Sequence, residues 1–199
     1  HGMQEVNGTY YYFSTWDGRN EQGLKTVNGK TYYFAPNQLK NTEKAIDGHW
    51  YYFGNDGAMA KGITQLKDGR TVYYNNQGQM QYGEKAINGN WYHFDTWDGH
   101  MAKGWYKLAD GRTVYYDVKA DGTGKGMLHG ESTLANGKTY YFDTWNGAEK
   151  TDYVLYKDGK LQYFAKDGAL VKNAKVGSVS ADANGYLQLK DGENNVNGN

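Results

Sequence analysis

Ile46-Asp47-Gly48-His49-Trp50-Tyr51-Tyr52-Phe53 and Ile87-Asn88-Gly89-Asn90-Trp91-Tyr92-His93-Phe94 are two copies of one phrase: an aliphatic residue, a turn dipeptide ending in glycine, and a short aromatic run. Asn-Gly or Asp-Gly between two β-prone runs is a strong hairpin signal, because both central residues of a type I′ turn need positive φ. The phrase recurs outward in both directions. Copies open at Val6-Asn7-Gly8, Val27-Asn28-Gly29, Leu66-Lys67-Asp68-Gly69, Leu108-Ala109-Asp110-Gly111, Leu134-Ala135-Asn136-Gly137 and Tyr156-Lys157-Asp158-Gly159. The last ring of each run falls at Phe13, Phe34, Phe53, Tyr74, Phe94, Tyr116, Phe142 and Phe164. A lone hairpin is marginal in water, so neighbouring copies must stack to bury a shared face. The expected fold is therefore all-β, a solenoid of tandem β-hairpin repeats of about twenty residues each.

The array of about eight repeats is expected over residues 1–173. Residues 174–199 read as a degenerate copy around Asp182-Ala183-Asn184-Gly185-Tyr186-Leu187 and a frayed end from Asp191-Gly192 onward. His1-Gly2 opens in the middle of the pattern, as expected of a fragment cut from a longer chain.

Composition agrees with this architecture. Aromatics are 16% of the chain while all hydrophobics are only 38%, so burial must come from rings spread along the repeats rather than from one aliphatic core. Lys+Arg 22 and Asp+Glu 22 cancel, and no run of like charge offers the footprint of a nucleic-acid or anionic-membrane binder. No apolar run is long enough to insert into a membrane. With Cys 0, disulfides and cysteine zinc sites are excluded.

Side chains alternate across a strand, so the four positions of each aromatic run divide between two faces. Positions two and four hold pairs such as Tyr51 and Phe53, Val72 and Tyr74, or Val114 and Tyr116, the pattern of a packed interior. Positions one and three hold Trp50 and Tyr52, Thr71 and Tyr73, Trp91 and His93, Thr113 and Tyr115, Thr139 and Tyr141. A flat ring beside a polar edge suits a sugar, whose C–H face stacks while its hydroxyls bond around the rim. This row is read as the ligand face, with Trp50, Trp91 and Trp105 its strongest members; packing of one hairpin on the next is the competing explanation for each tyrosine.

Three copies carry a variant loop: Ser14-Thr15-Trp16-Asp17-Gly18, Asp95-Thr96-Trp97-Asp98-Gly99 and Asp143-Thr144-Trp145-Asn146-Gly147. Each tryptophan is either a lid over a pocket or a ring folded back on its own hairpin. Beyond the second turn, Met59, Met80 and Met101 could floor an adaptable pocket, and Lys61, Lys103, Gln79 and Gln81 could donate to sugar hydroxyls. No catalytic group is expected: Asp47, Asp68, Asp110 and Asp158 are explained by turn chemistry, and no carboxylate pair stands out. His49, His93, His100 and His129 show no metal-ligand spacing, so neither metal nor cofactor is expected.

Lys30-Thr31-Tyr32-Tyr33-Phe34, Gly48-His49-Trp50-Tyr51-Tyr52-Phe53 and Gly57-Ala58-Met59-Ala60-Lys61-Gly62 resemble the glucan-binding and cell-wall-binding repeat superfamily. The Asn-Gly-Lys-Thr-Tyr-Tyr-Phe style is most similar to the glucan-binding domain of glucansucrases. The resemblance implies a secreted or cell-wall-associated, monomeric accessory domain that binds an α-glucan such as dextran and holds a parent enzyme on its product or at the cell surface. It also implies pockets pairing Tyr73 or Tyr115 with Gln79, Gln81, Lys61 or Lys103; Trp50, Tyr52, Trp91, Trp105 and Tyr141 complete the expected ligand set. The alternative is a choline- or teichoic-acid-binding anchor. Related choline-binding modules open with Gly-Trp, present here once as Gly104-Trp105, where other copies read Gly23-Leu24, Gly62-Ile63 or Gly83-Glu84. Clostridial toxin repeats share the Tyr-Tyr-Phe strand, and a purely structural spacer is the third class.

Overall fold

A computed structural model of the chain describes residues 1–119 and 121–189, so the expected frayed end beyond Asp191 lies outside the described residues. Among the described residues every regular element is a β-strand, and no helix is long and apolar enough to cross a membrane. The chain divides into two compact units, residues 1–102 with 118–124, and residues 103–117 with 125 onward.

The first unit is a series of antiparallel hairpins: β1 (Gly2–Val6) with β2 (Thr9–Phe13), β3 (Gly23–Val27) with β4 (Lys30–Phe34), β5 (Thr42–Ile46) with β6 (His49–Phe53), β7 (Gly62–Gln65) with β8 (Thr71–Tyr74), and β9 (Gly83–Ile87) with β10 (Asn90–Phe94). The second contains β11 (Gly104–Lys107) with β12 (Thr113–Val118) up to Asp117, then β13 (Gly124–Met127) from Lys125, β14 (Gly130–Thr133) with β15 (Thr139–Phe142), and β16 (Tyr153–Lys157) with β17 (Lys160–Phe164). Short strands β18 (Lys175–Val176), β19 (Val179–Ala181) and β20 (Leu187–Gln188) form a three-stranded sheet after the last full hairpin.

Turn chemistry sets the registers. Asn7-Gly8, Asn28-Gly29, Asp47-Gly48, Asn88-Gly89 and Asp158-Gly159 have positive φ at both residues, as two-residue hairpins require. Three copies depart from that expectation. Lys67, Ala109 and Ala135 each add a residue before the Asp-Gly or Asn-Gly, and only the glycine keeps positive φ. The preceding side chain then caps the turn instead: Asp68 Oδ1 accepts from Arg70 N at 2.9 Å, Asp110 Oδ1 from Arg112 N at 3.0 Å, and Asn136 Oδ1 from Lys138 N at 3.0 Å. The longer loop also turns Leu66, Leu108 and Leu134 inward, where they are buried.

Successive repeats are joined by backbone as well as by rings. Gln38 N donates to Tyr10 O, Met59 N to Thr31 O, Met80 N to Trp50 O and Met101 N to Thr71 O, all at 2.7–2.8 Å. In the second unit Glu149 N donates to Thr113 O and Leu170 N to Thr139 O. In these pairs the linker of a later repeat satisfies the carbonyl of the first or second residue of an earlier aromatic strand, a group that would otherwise be orphaned. Close approach is possible because glycine follows: a Cβ on Gly78 would stand 2.5 Å from Met59 Sδ, and one on Gly99 2.6 Å from Met80 Sδ.

Positions two and four of the aromatic runs form the interior, and Phe34, Phe53, Tyr74, Phe94, Phe142 and Phe164 are wholly buried. Positions one and three do not form one open row. Their rings lean on the next repeat: Tyr12 on Phe34 at 5.8 Å, Tyr33 on Phe53 at 5.9 Å, Tyr73 on Phe94 at 5.7 Å, and Tyr141 on Phe164 at 5.8 Å between centroids. In a stacked array the second face of a strand meets its neighbour rather than solvent.

Burial holds the His93 imidazole below its ordinary range, so in the folded state it resists protonation. The folded state then binds fewer protons than the unfolded chain below about pH 6.5, and stability is lost as pH falls through that value toward the folded pKa. Thermal unfolding between pH 7.5 and 5.5 is expected to show a steeper decline for the natural chain than for His93→Gln. Parallel curves would show that His93 contributes nothing to the acid lability.

Candidate functional site: an aromatic pocket with an acidic rim

In the first unit a pocket of about 380 Å³ is lined by Glu43, Trp50, Arg70, Met80, Tyr82, Trp97 and Asp98. Five chain segments supply it. Glu43 comes from β5 and Trp50 from β6; Arg70 follows the turn after β7, Met80 and Tyr82 lie in the linker after β8, and Trp97-Asp98 in the loop after β10. Trp50 is 47% exposed and Trp97 92% exposed, so both indoles stay open to a ligand, while Met80 is buried beneath them.

Arg70 organises the polar side. Its Nη2 pairs with the Glu43 carboxylate, its Nε donates to Asp68 Oδ2 at 2.7 Å, and its Nη1 donates to Asp98 O at 2.6 Å. Tyr74 OH donates to Glu43 Oε1 at 3.4 Å; burial pushes the Tyr74 phenol up, which keeps it a neutral donor. Burial also raises the Tyr82 phenol. Backbone N–H groups hold two neighbouring carboxyls below their usual range, Asp68 through Arg70 N and Asp98 through His100 N. Two carboxylates, Glu43 and Asp68, thus pair with the guanidinium while a third, Asp98, stands on the rim, so acid outweighs base there and the rim favours a cation. Indole and phenol faces attract cations as well, by about 2 kcal/mol or more when the pair is desolvated.

The expected ligand residues are dispersed. Trp50 is the one member of that set in this pocket. Tyr52 departs from the open-row expectation: at 7% exposure it is sealed among Leu66, Val72, Tyr74 and Met80, because the following repeat closes over it. Tyr73, Tyr115 and Tyr141 are half-buried with ring neighbours, and Tyr141 also stacks on Tyr153 at 5.7 Å. Trp91 is exposed on β10. Trp105 meets Tyr115 edge-on at 5.3 Å and Tyr140 at 5.0 Å. Gln79 Oε1 accepts from Asn75 Nδ2, and Gln81 Nε2 donates to Gln79 O and Met80 O, so the Gln79 side-chain oxygen and the Gln81 amide nitrogen serve their own linker. Lys61 and Lys103 are exposed.

The loop tryptophans do not fold back: Trp16, Trp97 and Trp145 are each at least 90% exposed. Ser14 Oγ, Asp95 Oδ1 and Asp143 Oδ1 accept from the tryptophan N–H and the one after it, which fixes the three turns alike. Asp95, Asp98 and His100 bring possible metal-ligating atoms within 4.8 Å of one another. Hydrogen bonds to their own loop account for that cluster. Sequence reasoning singled out Met80 and Trp97 but missed Glu43, Arg70, Tyr82 and Asp98.

The choline-binding repeat family matches residues 22–62, 41–81 and 83–123, together just over half of the sequence. The chain belongs to that family. Its repeats are binding modules, and the chain is a non-catalytic repeat domain of the cell-wall- or carbohydrate-binding type. Choline binding protein F from Streptococcus pneumoniae, solved with a tetrasaccharide-pentapeptide peptidoglycan analogue, is similar at 26% identity and TM-score 0.72, over 90% of this chain and 61% of that one. CbpJ from Streptococcus pneumoniae TIGR4 is similar at 26% identity and TM-score 0.70, over 90% and 62%. The chain thus spans less than two thirds of either relative. An alternansucrase solved with isomaltononaose shares 20% identity over 94% of this chain and 16% of that one, at a TM-score of 0.39 too low to carry an argument about glucan. No curated protein sequence matches the chain.

Proposed function

We propose that the chain is a cell-wall anchor that binds the choline groups of a surface polymer, and that the pocket at Trp50 and Trp97 is one place where it does so. The observation that carries this reading is the pocket's composition: three rings from Trp50, Tyr82 and Trp97, with Glu43 and Asp98 on the rim and each Arg70 nitrogen bonded to a protein oxygen. A quaternary ammonium has no N–H to donate and asks only for π faces and negative potential. A neutral sugar asks for free donors and acceptors around a stacking ring, and the Gln81 amide nitrogen, one of the expected donors, serves its own linker instead. Membership of the choline-binding repeat family supports the same reading. Bound along a polymer, weak sites gain strength by avidity, which suits retention of an attached protein at the wall.

Retention on choline-agarose tests it, run beside electrophoresis through gels containing dextran. The chain is expected to bind the column, to elute with free choline, and to migrate unchanged in dextran. Passage through the column, or retardation by dextran alone, would overturn the choline reading in favour of a spacer or of glucan binding.

A further inference from the structure

Four repeats place a cation immediately before a threonine at the start of the second strand, where the threonine is the strand's first or second residue: Lys30-Thr31, Arg70-Thr71, Arg112-Thr113 and Lys138-Thr139. Each cation reaches the second turn of a later repeat, but the two residue types reach different atoms. Lys30 Nζ meets Asp56 Oδ2 at 2.9 Å and Lys138 Nζ meets Asp167 Oδ2 at 3.1 Å. Arg70 Nη1 donates to the backbone carbonyl of Asp98, and Arg112 Nη1 to that of Asn146. The lysines face loops without a tryptophan, Asn55-Asp56-Gly57 and Lys166-Asp167-Gly168. The arginines face Trp97-Asp98-Gly99 and Trp145-Asn146-Gly147. Arginine thus goes with the tryptophan loop and lysine with the plain one, once in each unit.

A physical reason separates the two contacts. Holding a carboxylate fixes one side chain, whereas holding a carbonyl fixes a peptide plane of the loop itself, here Asp98–Gly99 or Asn146–Gly147, one residue beyond the tryptophan. The guanidinium fork is itself held: Arg70 Nε on Asp68 Oδ2 and Arg112 Nε on Asp110 Oδ2, both at 2.7 Å, while each arginine N–H donates to the same aspartate. A planar fork braced on its own turn can aim a second N–H at a fixed point, which a single rotatable ammonium cannot. Trp97, at 92% exposure, depends on its backbone for position. Arg70 also pairs with Glu43 on the opposite wall, so one side chain ties the Trp97 loop to the β5 side of the pocket.

We infer that Arg70 is a positioning residue that pins the Trp97 loop over the pocket and so sets its aperture, and that Arg112 pins the Trp145 loop in the same way. The consequence for the ligand rests on the choline reading; the pinning does not. Amide hydrogen exchange on the ligand-free chain tests the pinning by comparing the natural protein with Arg70→Lys, which keeps the charge. Exchange at Trp97, Asp98 and Gly99 is expected to quicken about tenfold, with the Asn55-Asp56-Gly57 loop unchanged. Equal exchange at Trp97–Gly99 in both proteins overturns the inference whether or not choline binds.

Choline affinity is then measured for Arg70→Lys, Trp97→Ala and the double variant. Arg70→Lys is expected to weaken binding about three- to tenfold when Trp97 is present, and to add nothing in the Trp97→Ala background. Additive losses would mean that Arg70 acts on the ligand without Trp97, and would overturn its positioning role. A natural chain that ignores choline while Arg70→Lys loosens the loop sinks the choline reading and leaves the pinning standing.

Discussion

Phe94→Ala is expected to cost about 3–5 kcal/mol, the largest stability loss of any single substitution considered for the chain. Phe94 is wholly buried, packs with Tyr92 and Met101, and has Tyr73 of the preceding repeat stacked against it at 5.7 Å with an interplanar angle of 24°. Its removal empties a site that two repeats share. Each repeat buries little by itself, so the loss concentrates at one junction rather than spreading through the array. Chemical denaturation followed by tryptophan fluorescence should show a lowered midpoint, and hydrogen exchange should place the first opening at β9–β10. Val154→Ala is the control: that side chain is exposed, and a change within about 0.5 kcal/mol is expected. A loss below about 1 kcal/mol for Phe94→Ala would mean that the ring row is not what holds neighbouring repeats together.

The hairpins were legible because their cause is local. Asn7-Gly8 and Asp47-Gly48 each carry in two residues the positive φ that closes a type I′ turn, and Phe53 or Phe94 marks the strand end by its place in the period. Where one residue was added, at Lys67 or Ala109, the same dipeptide closed a different turn, since the spacing and not the pair selects the type. The inner face was legible for the same local reason. The outer face was not: Tyr52 and Trp50 share one side of β6, yet one is sealed and the other open, because their surroundings come from the next repeat. The pocket shows the limit most clearly. Trp50 and Trp97 announce themselves as costly exposed rings, whereas Glu43, Arg70 and Asp98 become partners only when segments far apart in sequence are brought together. No repeat read alone says which residue of a later repeat will face it.

Trp50→Ala should separate binding from folding. The indole stands 47% exposed at the pocket wall, while its backbone carbonyl accepts from Met80 N at 2.8 Å, a bond that alanine retains. Choline affinity is therefore expected to fall by about tenfold, in line with roughly 1–2 kcal/mol for one cation–π wall, with little change in the unfolding midpoint. Trp50→Phe should recover part of the loss, since a smaller π face still attracts charge. Ligand charge provides the sharper comparison. Replacing the quaternary nitrogen of choline by carbon keeps the shape and apolar surface and removes the charge; an apolar cavity would bind both molecules alike, whereas rings behind the Glu43 and Asp98 rim should prefer choline by several-fold. Equal affinity for the two would show that Trp50 contributes apolar area alone, and the acidic rim would then have no part in choosing the ligand.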